Sequence, residues 1–259
     1  MFFNKSSIEL KSKQEIEKMR IAGRAVGEIL ERLTDVVKPG ATTKDIDLFV
    51  EKYIKSLKMK PAFLGVEGIN YPFPACACVS INDEVVHGIP SASRVLRSGD
   101  IVSVDIGTIY EGYYGDAAKT YAVGNISDSA AKLLEATKKS LENGIKQAVA
   151  GNRLGDISAA VQKTAEEAGF SVVRDFVGHG IGRALHEDPP VPNYGKSNTG
   201  IKLVAGMVLA IEPMINAGSY EVEMLNDDWA VVTKDGSLSA HFEHTVAITE
   251  NGNEILTKV

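Results

Sequence analysis

Apolar side chains recur at helical spacing through Lys13–Val37, with Ile16, Met19, Ala22, Val26, Ile29, Leu30 and Leu33 on one stripe. Pro39-Gly40 breaks the run. A second helix is predicted from near Thr42, with Asp45 as its capping-box partner. Ile46, Phe49, Val50, Tyr53, Ile54 and Leu57 give it a continuous i, i+3, i+4, i+7 face. From Pro61 to Gly124 the pattern changes to short, β-branched apolar runs between turn residues, which predicts sheet. The order then repeats. Asp128 or Ser129 caps a predicted helix running to Ala150, striped by Leu134, Leu141, Ile145 and Val149 and stopped by Gly151. Asp156 caps the next helix, which ends at Gly169, and strands are expected from Ser171 onward.

The two helix–helix junctions share a signature, Gly40-x4-Asp45-Ile46 and Gly151-x4-Asp156-Ile157. With the repeated order of elements, it predicts two similar α+β halves, about 13–124 and 125–259, packed about a pseudo-twofold. A cleft between the halves is the expected binding site. No Pro/Gly/Ser linker interrupts the pattern, so residues 13–259 are expected to form one domain behind a flexible lead-in over residues 1–12.

Composition narrows the classes. The chain has 259 residues, 44% hydrophobic and 24% charged, the make-up of a globular protein. Its net charge of −6 and lack of a basic tract argue against a nucleic-acid partner. Cys76 and Cys78 form a lone C-x-C, too few ligands for a zinc clamp and poorly placed to bond each other, so reduced thiols are expected. Neither a signal-peptide core nor a run of membrane-spanning length is visible, and a cytoplasmic location is the expectation.

Against that background five potential metal ligands stand out: Asp105, Asp116, His179, Glu212 and Glu243, each in a short apolar segment. Carboxylates buried together need a cation or protons to neutralise them. One imidazole with four carboxylates has the oxygen-rich composition of a two-metal hydrolase site. Ile101–Gly107 and Tyr113–Ala118 read as a hairpin. A turn at Glu111-Gly112 puts Asp105 opposite Ala118 and diagonal to Asp116, whereas a turn at 110–111 puts the aspartates face to face. Either register leaves their side chains about 5–8 Å apart. The bland reading is that Asp116 caps a turn while Asp105 ends a strand.

The other candidates carry similar alternatives. His179 lies in Gly178-His179-Gly180, where glycines admit a close ligand or simply a tight turn. His186, in Leu185-His186-Glu187-Asp188, has polar neighbours and could be an ordinary loop residue. His87 ends an apolar run at His87-Gly88-Ile89-Pro90, a sheet rim suited to contact with substrate. Glu212 is the only charge in Gly206–Ile215, and Glu243 is set in similar surroundings; salt bridges are the structural alternative for both.

The segments Ser80-Ile81-Asn82, Val85-Val86-His87-Gly88-Ile89-Pro90, Val104-Asp105, Gly115-Asp116, Gly178-His179-Gly180-Ile181-Gly182, Ile211-Glu212-Pro213-Met214 and Glu243-His244-Thr245 together resemble the type I methionine aminopeptidases, in order and over nearly the full length. The resemblance implies an α+β "pita-bread" (creatinase/aminopeptidase) fold, with two pseudo-symmetric halves around a curved antiparallel sheet and a single catalytic domain over 13–259. It implies two divalent ions, of Mn, Fe, Co or Zn, bridged by Asp105, Asp116 and Glu243, with His179 and Glu212 on one of them. Glu212 becomes the expected general base, His186 the oxyanion stabiliser, and His87 the contact to the scissile amide. Phe73, Cys78, Leu185 and Trp229 are expected to line the methionine pocket around His87.

The function so implied is removal of the initiator methionine from nascent chains whose second residue is small and uncharged. The expected enzyme is a monomer that meets nascent N-termini near the ribosome. Three positions depart from the family pattern: Leu185 where phenylalanine is common, Asn193 where histidine is common, and His241 where glutamine is frequent. The first puts side-chain selectivity in question. Two other readings compete. A Xaa-Pro peptidase of the same fold would carry a similar ligand set, but its usual extra N-terminal domain has no counterpart before a helix starting near residue 13. A non-catalytic module of this fold would have lost ligands that are all present here.

Overall fold

The helical stripes become four helices in a computed structural model that describes residues 8–259. Helix α1 (Lys13–Arg32) starts at a Ser12/Glu15 capping box and buries Met19, Ala22, Val26 and Ile29 before a short 3-10 turn at Leu33–Asp35. Helix α2 (Thr43–Ser56) starts at Thr42, whose N–H donates to Asp45 Oδ2 at 2.8 Å. Its Ile46, Val50 and Ile54 are fully buried. Helix α3 (Asp128–Gln147) is capped by Ser127, one residue ahead of the expected cap. Its inner face is Ala130, Leu133, Ala136, Ser140, Leu141, Gly144 and Ile145, while Leu134 is only partly buried and Val149 lies beyond the helix. The small residues let the neighbouring helix approach: a Cβ on Gly144 would collide with Val161.

Helix α4 (Leu154–Glu167) corrects one expectation. Arg153, not Asp156, holds the cap position, and Asp156 lies three residues further on, its Oδ2 accepting the Arg153 N–H at 2.8 Å. That is the same bond the Thr42 N–H makes to Asp45, so this backbone-to-carboxylate bond recurs at both junctions. Gly40 and Gly151 open it with φ of +90° and +101°, and Thr42 and Arg153 each form an isolated antiparallel bridge, to Val95 and Lys202.

The strands are β1 (Lys60–Pro61), β2 (Ala77–Ile81), β3 (Glu84–Val86), β4 (Ile101–Tyr110), β5 (Tyr113–Ala122), β6 (Ser171–Val172), β7 (Gly178–Gly180), β8 (Glu187–Val191), β9 (Val208–Ile211), β10 (Met214–Asn216), β11 (Val222–Met224), β12 (Val231–Thr233), β13 (Ser239–His241), β14 (His244–Thr249) and β15 (Gly252–Ile255). All the ladders are antiparallel. One sheet runs β1-β4-β2 with β5 also paired to β4; another runs β15-β14-β9-β7-β8; two smaller sheets are β13-β10-β6 and β11-β12-β3. Val79, Val102, Val104 and Ala117 turn one face of the first sheet onto α1 and α2. Leu209, Ile211, Val246 and Ile248 do the same toward α3 and α4. The period-2 alternation of strands then sends the intervening side chains to the opposite faces, where the candidate site lies.

Residues 1–7 of the expected lead-in lie outside the described residues. Residues 8–12 are bound into the fold rather than loose: the Lys11 N–H donates to Gly206 O at 2.7 Å, and the Lys11 side chain is buried.

Candidate metal centre and active site

The hairpin adopts the first of its two possible registers. Tyr110 pairs with Tyr113, leaving Glu111-Gly112 as the turn, with φ of +47° and +81°. Positive φ at both central residues is the type I′ pattern that suits the twist of a hairpin. Asp105 therefore stands opposite Ala118, and Asp116 opposite Gly107. On the other side Asp105 pairs with Cys78 of β2. Opposite and diagonal residues share a face, so Cys78, Asp105 and Asp116 all point to the same side of the sheet. The two aspartate carboxyls come within hydrogen-bonding reach of each other.

The glutamates come from a corner that the sequence marks only by Pro213. Strands β9 and β14 pair in one sheet, then their continuations β10 and β13 pair in another: Ile211↔His244 on one side of the gap, Met214↔His241 on the other. Glu212 and Glu243 occupy that gap. The Glu243 N–H donates to Ala118 O at 2.9 Å, tying the corner to β5. Thr245 Oγ1 completes the join, accepting the Asp116 N–H at 3.0 Å and donating to Asp116 O at 2.7 Å. His179, on β7, is fixed by a 2.9 Å contact of Nδ1 with Gly180 O, and its Nε2 lies 3.5 Å from Glu212 Oε1.

All five expected ligands meet. Asp116, His179 and Glu243 offer donor atoms within 4.8 Å of one another, Glu212 touches His179, and Asp105 touches Asp116. They line a cavity of about 730 Å³ together with every other expected site residue: Phe73, Cys78, His87, Leu185, His186 and Trp229. His87 follows β3 with φ +61°, a strained conformation for a side-chain-bearing residue of the kind that clusters at functional sites. Its ring meets Phe176 and Trp229 edge-on, at 5.8 and 6.2 Å between centroids. Trp229 in turn meets Phe73 at 5.0 Å. The His186 ring lies 4.6 Å from that of His179.

Some of the surroundings were not read from the sequence. Phe63, Val66, Phe176 and Met214 extend the apolar wall. Asn193 Nδ2 donates to Glu212 O at 3.0 Å, and His241 Nε2 lies 3.7 Å from Glu212 Oε2. Both stood out only as departures from a family pattern. Phe176 lies just ahead of the Gly178–Gly182 motif and Thr245 closes the Glu243-His244-Thr245 motif, but as an apolar and a neutral residue neither carried a charge that pointed to its contacts.

Electrostatics describe a site built for cations. Burial pushes Asp105 up to about 7, against a hydrogen bond with Asp116 that pulls it down. Burial, then the neighbouring carboxylates, drive Asp116 and Glu243 well above the usual range, and burial with Asp105 does so for Glu212. Burial holds His87 and His179 down to about 4 and His241 to about 3, so all three are neutral at pH 7. Among the described residues no lysine or arginine pairs with any of the four carboxyls. Asp105 Oδ1, Asp116 Oδ1 and Glu243 Oε1 are buried without a hydrogen-bond partner. Unpaired carboxylate oxygens converging beside a neutral imidazole are what hard or borderline divalent ions bind, so the residues present fit a metal centre.

The model of metallopeptidase family M24 matches residues 17–250. The chain belongs to metallopeptidase family M24. Use of divalent metal comes with that membership. A methionine aminopeptidase of Clostridium acetobutylicum is 56% identical to this M24 chain, over 96% of it and 98% of the relative. The crystal structure of methionine aminopeptidase from Thermotoga maritima superposes with a TM-score of 0.94 at 50% identity, covering 98% of this chain and 100% of that one. The M24 pita-bread architecture implied by the motifs is thus the fold of this chain. A prolidase from Pyrococcus horikoshii shares the fold alone, at 22% identity and a TM-score of 0.75, and this chain spans 63% of its length.

Proposed function

We propose that the chain removes the N-terminal methionine from polypeptides, with Asp105, Asp116, His179, Glu212 and Glu243 holding two divalent ions. The observation that carries this reading is one cavity lined by two chemically distinct sets of side chains. Five converging metal donors line it beside the apolar Phe73, Trp229, Leu185 and Cys78. The apolar set suits an unbranched thioether side chain, and the donors suit the adjacent amino group and peptide bond. Relatives named methionine aminopeptidase, at high identity over nearly the whole chain, support the same substrate.

Bound divalent metal would supply Lewis-acid chemistry there, acidifying water and polarising the scissile carbonyl. The remaining steps belong to the chain's own side chains. Glu212, raised by burial and set between His179 and His241, is the base that takes the proton of the attacking water. His186, lining the same cavity, donates to the oxyanion as the carbonyl becomes tetrahedral. His87, neutral and held in a strained turn, contacts the scissile amide and helps a proton reach the leaving nitrogen. Leu185 in place of an aromatic leaves more room beside the methionine, so selectivity for that side chain is expected to be looser than in relatives with phenylalanine.

Because every site residue comes from one chain, a monomer suffices for catalysis. Among the described residues no helix is long and apolar enough to cross a membrane. The reading keeps the expectation of a cytoplasmic enzyme working on nascent N-termini near the ribosome, preferring a small, uncharged second residue. A panel of Met-X-Ser tripeptides, assayed after chelation and return of single metals, tests it. Hydrolysis of Met-Ala-Ser that vanishes with chelator and returns with a divalent ion is expected. Cleavage of Ala-Pro with Met-Ala-Ser left intact would overturn the reading in favour of a proline-specific peptidase.

A further inference from the structure

Among the described residues no hydrogen bond holds the His186 ring. Apart from its edge contact with the His179 ring, its placement depends on the backbone of the turn that carries it, and that turn is closed by a carboxylate outside the metal cluster. Glu187 Oε1 accepts the N–H groups of Arg183 at 2.7 Å and Ala184 at 3.1 Å. Leu185 and His186 therefore ride on a loop whose two ends are drawn together by one side chain. The flanks are also fixed: the Tyr114 N–H donates to Gly182 O at 2.9 Å, and the Arg183 guanidinium bonds Glu15 at 3.0 Å while resting over the Tyr113 ring.

The second oxygen of Glu187 is bound from a distant part of the chain. Lys11 Nζ lies 2.6 Å from Glu187 Oε2, and the lysine side chain is only 2% exposed. Its ammonium also donates to Glu9 O at 3.1 Å. Its backbone is anchored separately, through the bond to Gly206 O. The side chain runs so close to Gly182 that a Cβ there would collide with Lys11 Cε. A buried ion pair is a weak source of net stability, since burying both charges offsets most of the attraction, but its geometry is exacting. Here that geometry ends one residue from His186.

We propose that Lys11 is a positioning residue for the reaction: through Glu187 it sets the turn that aims the His186 imidazole at the substrate carbonyl. The segment ahead of α1 is then part of the active-site architecture, although it touches no substrate. The proposal rests on the role given to His186 above. A displacement of about 1 Å in a group that must meet a developing charge costs on the order of 100-fold in rate, so loss of the lysine is expected to appear in kcat. Substrate binding, which depends on the metal donors and the apolar lining of the cavity, is expected to change little.

The test is hydrolysis of Met-Ala-Ser by the full-length, metal-loaded protein carrying Lys11→Met, Glu187→Gln or both, each with and without His186→Ala. Lys11→Met is expected to lower kcat on the order of 10- to 100-fold with KM and bound metal nearly unchanged. In the His186→Ala background the same substitution is expected to have no further effect. If Lys11→Met alone fails to fold because Glu187 is left buried and unpaired, the Lys11→Met/Glu187→Gln pair removes both charges. The amide oxygen that Glu187→Gln introduces can still accept the Arg183 and Ala184 N–H groups, and the pair is compared with and without His186 in the same way. Losses that multiply with that of His186→Ala, or that fall on KM or metal content, would overturn the positioning role while leaving His186 in place. Full turnover by His186→Ala alone would remove the role on which the proposal stands.

Discussion

Glu212, the proposed base, shows how surroundings can fit a single residue to a task. Its carboxylate lies 3.5 Å from His179 Nε2 and 3.7 Å from His241 Nε2, and its backbone carbonyl accepts from Asn193. Burial raises its proton affinity, and both histidines are neutral, so neither lowers it as a cation would. Glu212→Gln keeps the volume and one acceptor oxygen but removes the base. Turnover of Met-Ala-Ser at saturating divalent metal is expected to fall on the order of 10²- to 10⁴-fold, with bound metal measured in parallel because Glu212 is also a proposed ligand. Full turnover with metal bound would remove Glu212 from the base role. The donor residues were legible in the sequence because each is a lone charge in an apolar run, a pattern visible locally. His241 and Asn193 were not legible as partners of Glu212, because what they touch is decided by strand pairing across long stretches of chain.

Elements divide along the same line. Helices announce themselves through periodicity and capping within a few residues, and all four fall near where the pattern puts them. Two caps are displaced, Ser127 by one residue and Arg153 by three, and the larger shift reflects a real ambiguity: a carboxylate three residues into a helix satisfies the same N–H that marks the start. The hairpin was legible to within one register, and the positive φ at both Glu111 and Gly112 selects between them. The corner between β9–β10 and β13–β14 was not legible, since it needs two distant strands to change sheets together. Thr245 is its fastener. Thr245→Val preserves shape but leaves the Asp116 N–H and carbonyl without their buried partner, which costs about 1–3 kcal/mol. Urea unfolding of the chelated protein is expected to show that loss, and calorimetric titration to show weaker metal binding, because Asp116 is no longer held. Unchanged midpoint and affinity would mean that the corner is held by its backbone bonds alone.

For the molecule as a whole, the buried carboxyl cluster makes stability respond to pH. A carboxyl whose folded pKa lies above its unfolded one contributes stability that is complete below about pH 4 and is lost as pH climbs through the folded value. Asp105, at about 7, and Asp116, Glu212 and Glu243, driven by burial and their neighbours well above the usual carboxylate range, all behave this way without metal. The buried histidines run in the opposite sense. His87 and His179, at about 4, and His241, at about 3, contribute stability that is present above about pH 6.5 and lost as acid brings the pH down through those values. Between about pH 4 and 6.5 the two sets oppose each other. Above that window the histidines are neutral in both folded and unfolded chains, and only the carboxyls continue to act. Chelated protein is therefore expected to lose melting temperature as pH rises from about 6.5 through the Asp105 value of about 7, and further as the other three raised carboxyls ionise. Divalent metal replaces the protons as the neutralising charge, and it binds more tightly as they leave. The gap in melting temperature between metal-loaded and chelated protein should widen over the same range, measured by scanning calorimetry at fixed ionic strength. A gap that stayed constant or narrowed would mean that the four carboxyls do not share the buried, cation-free environment the fold gives them.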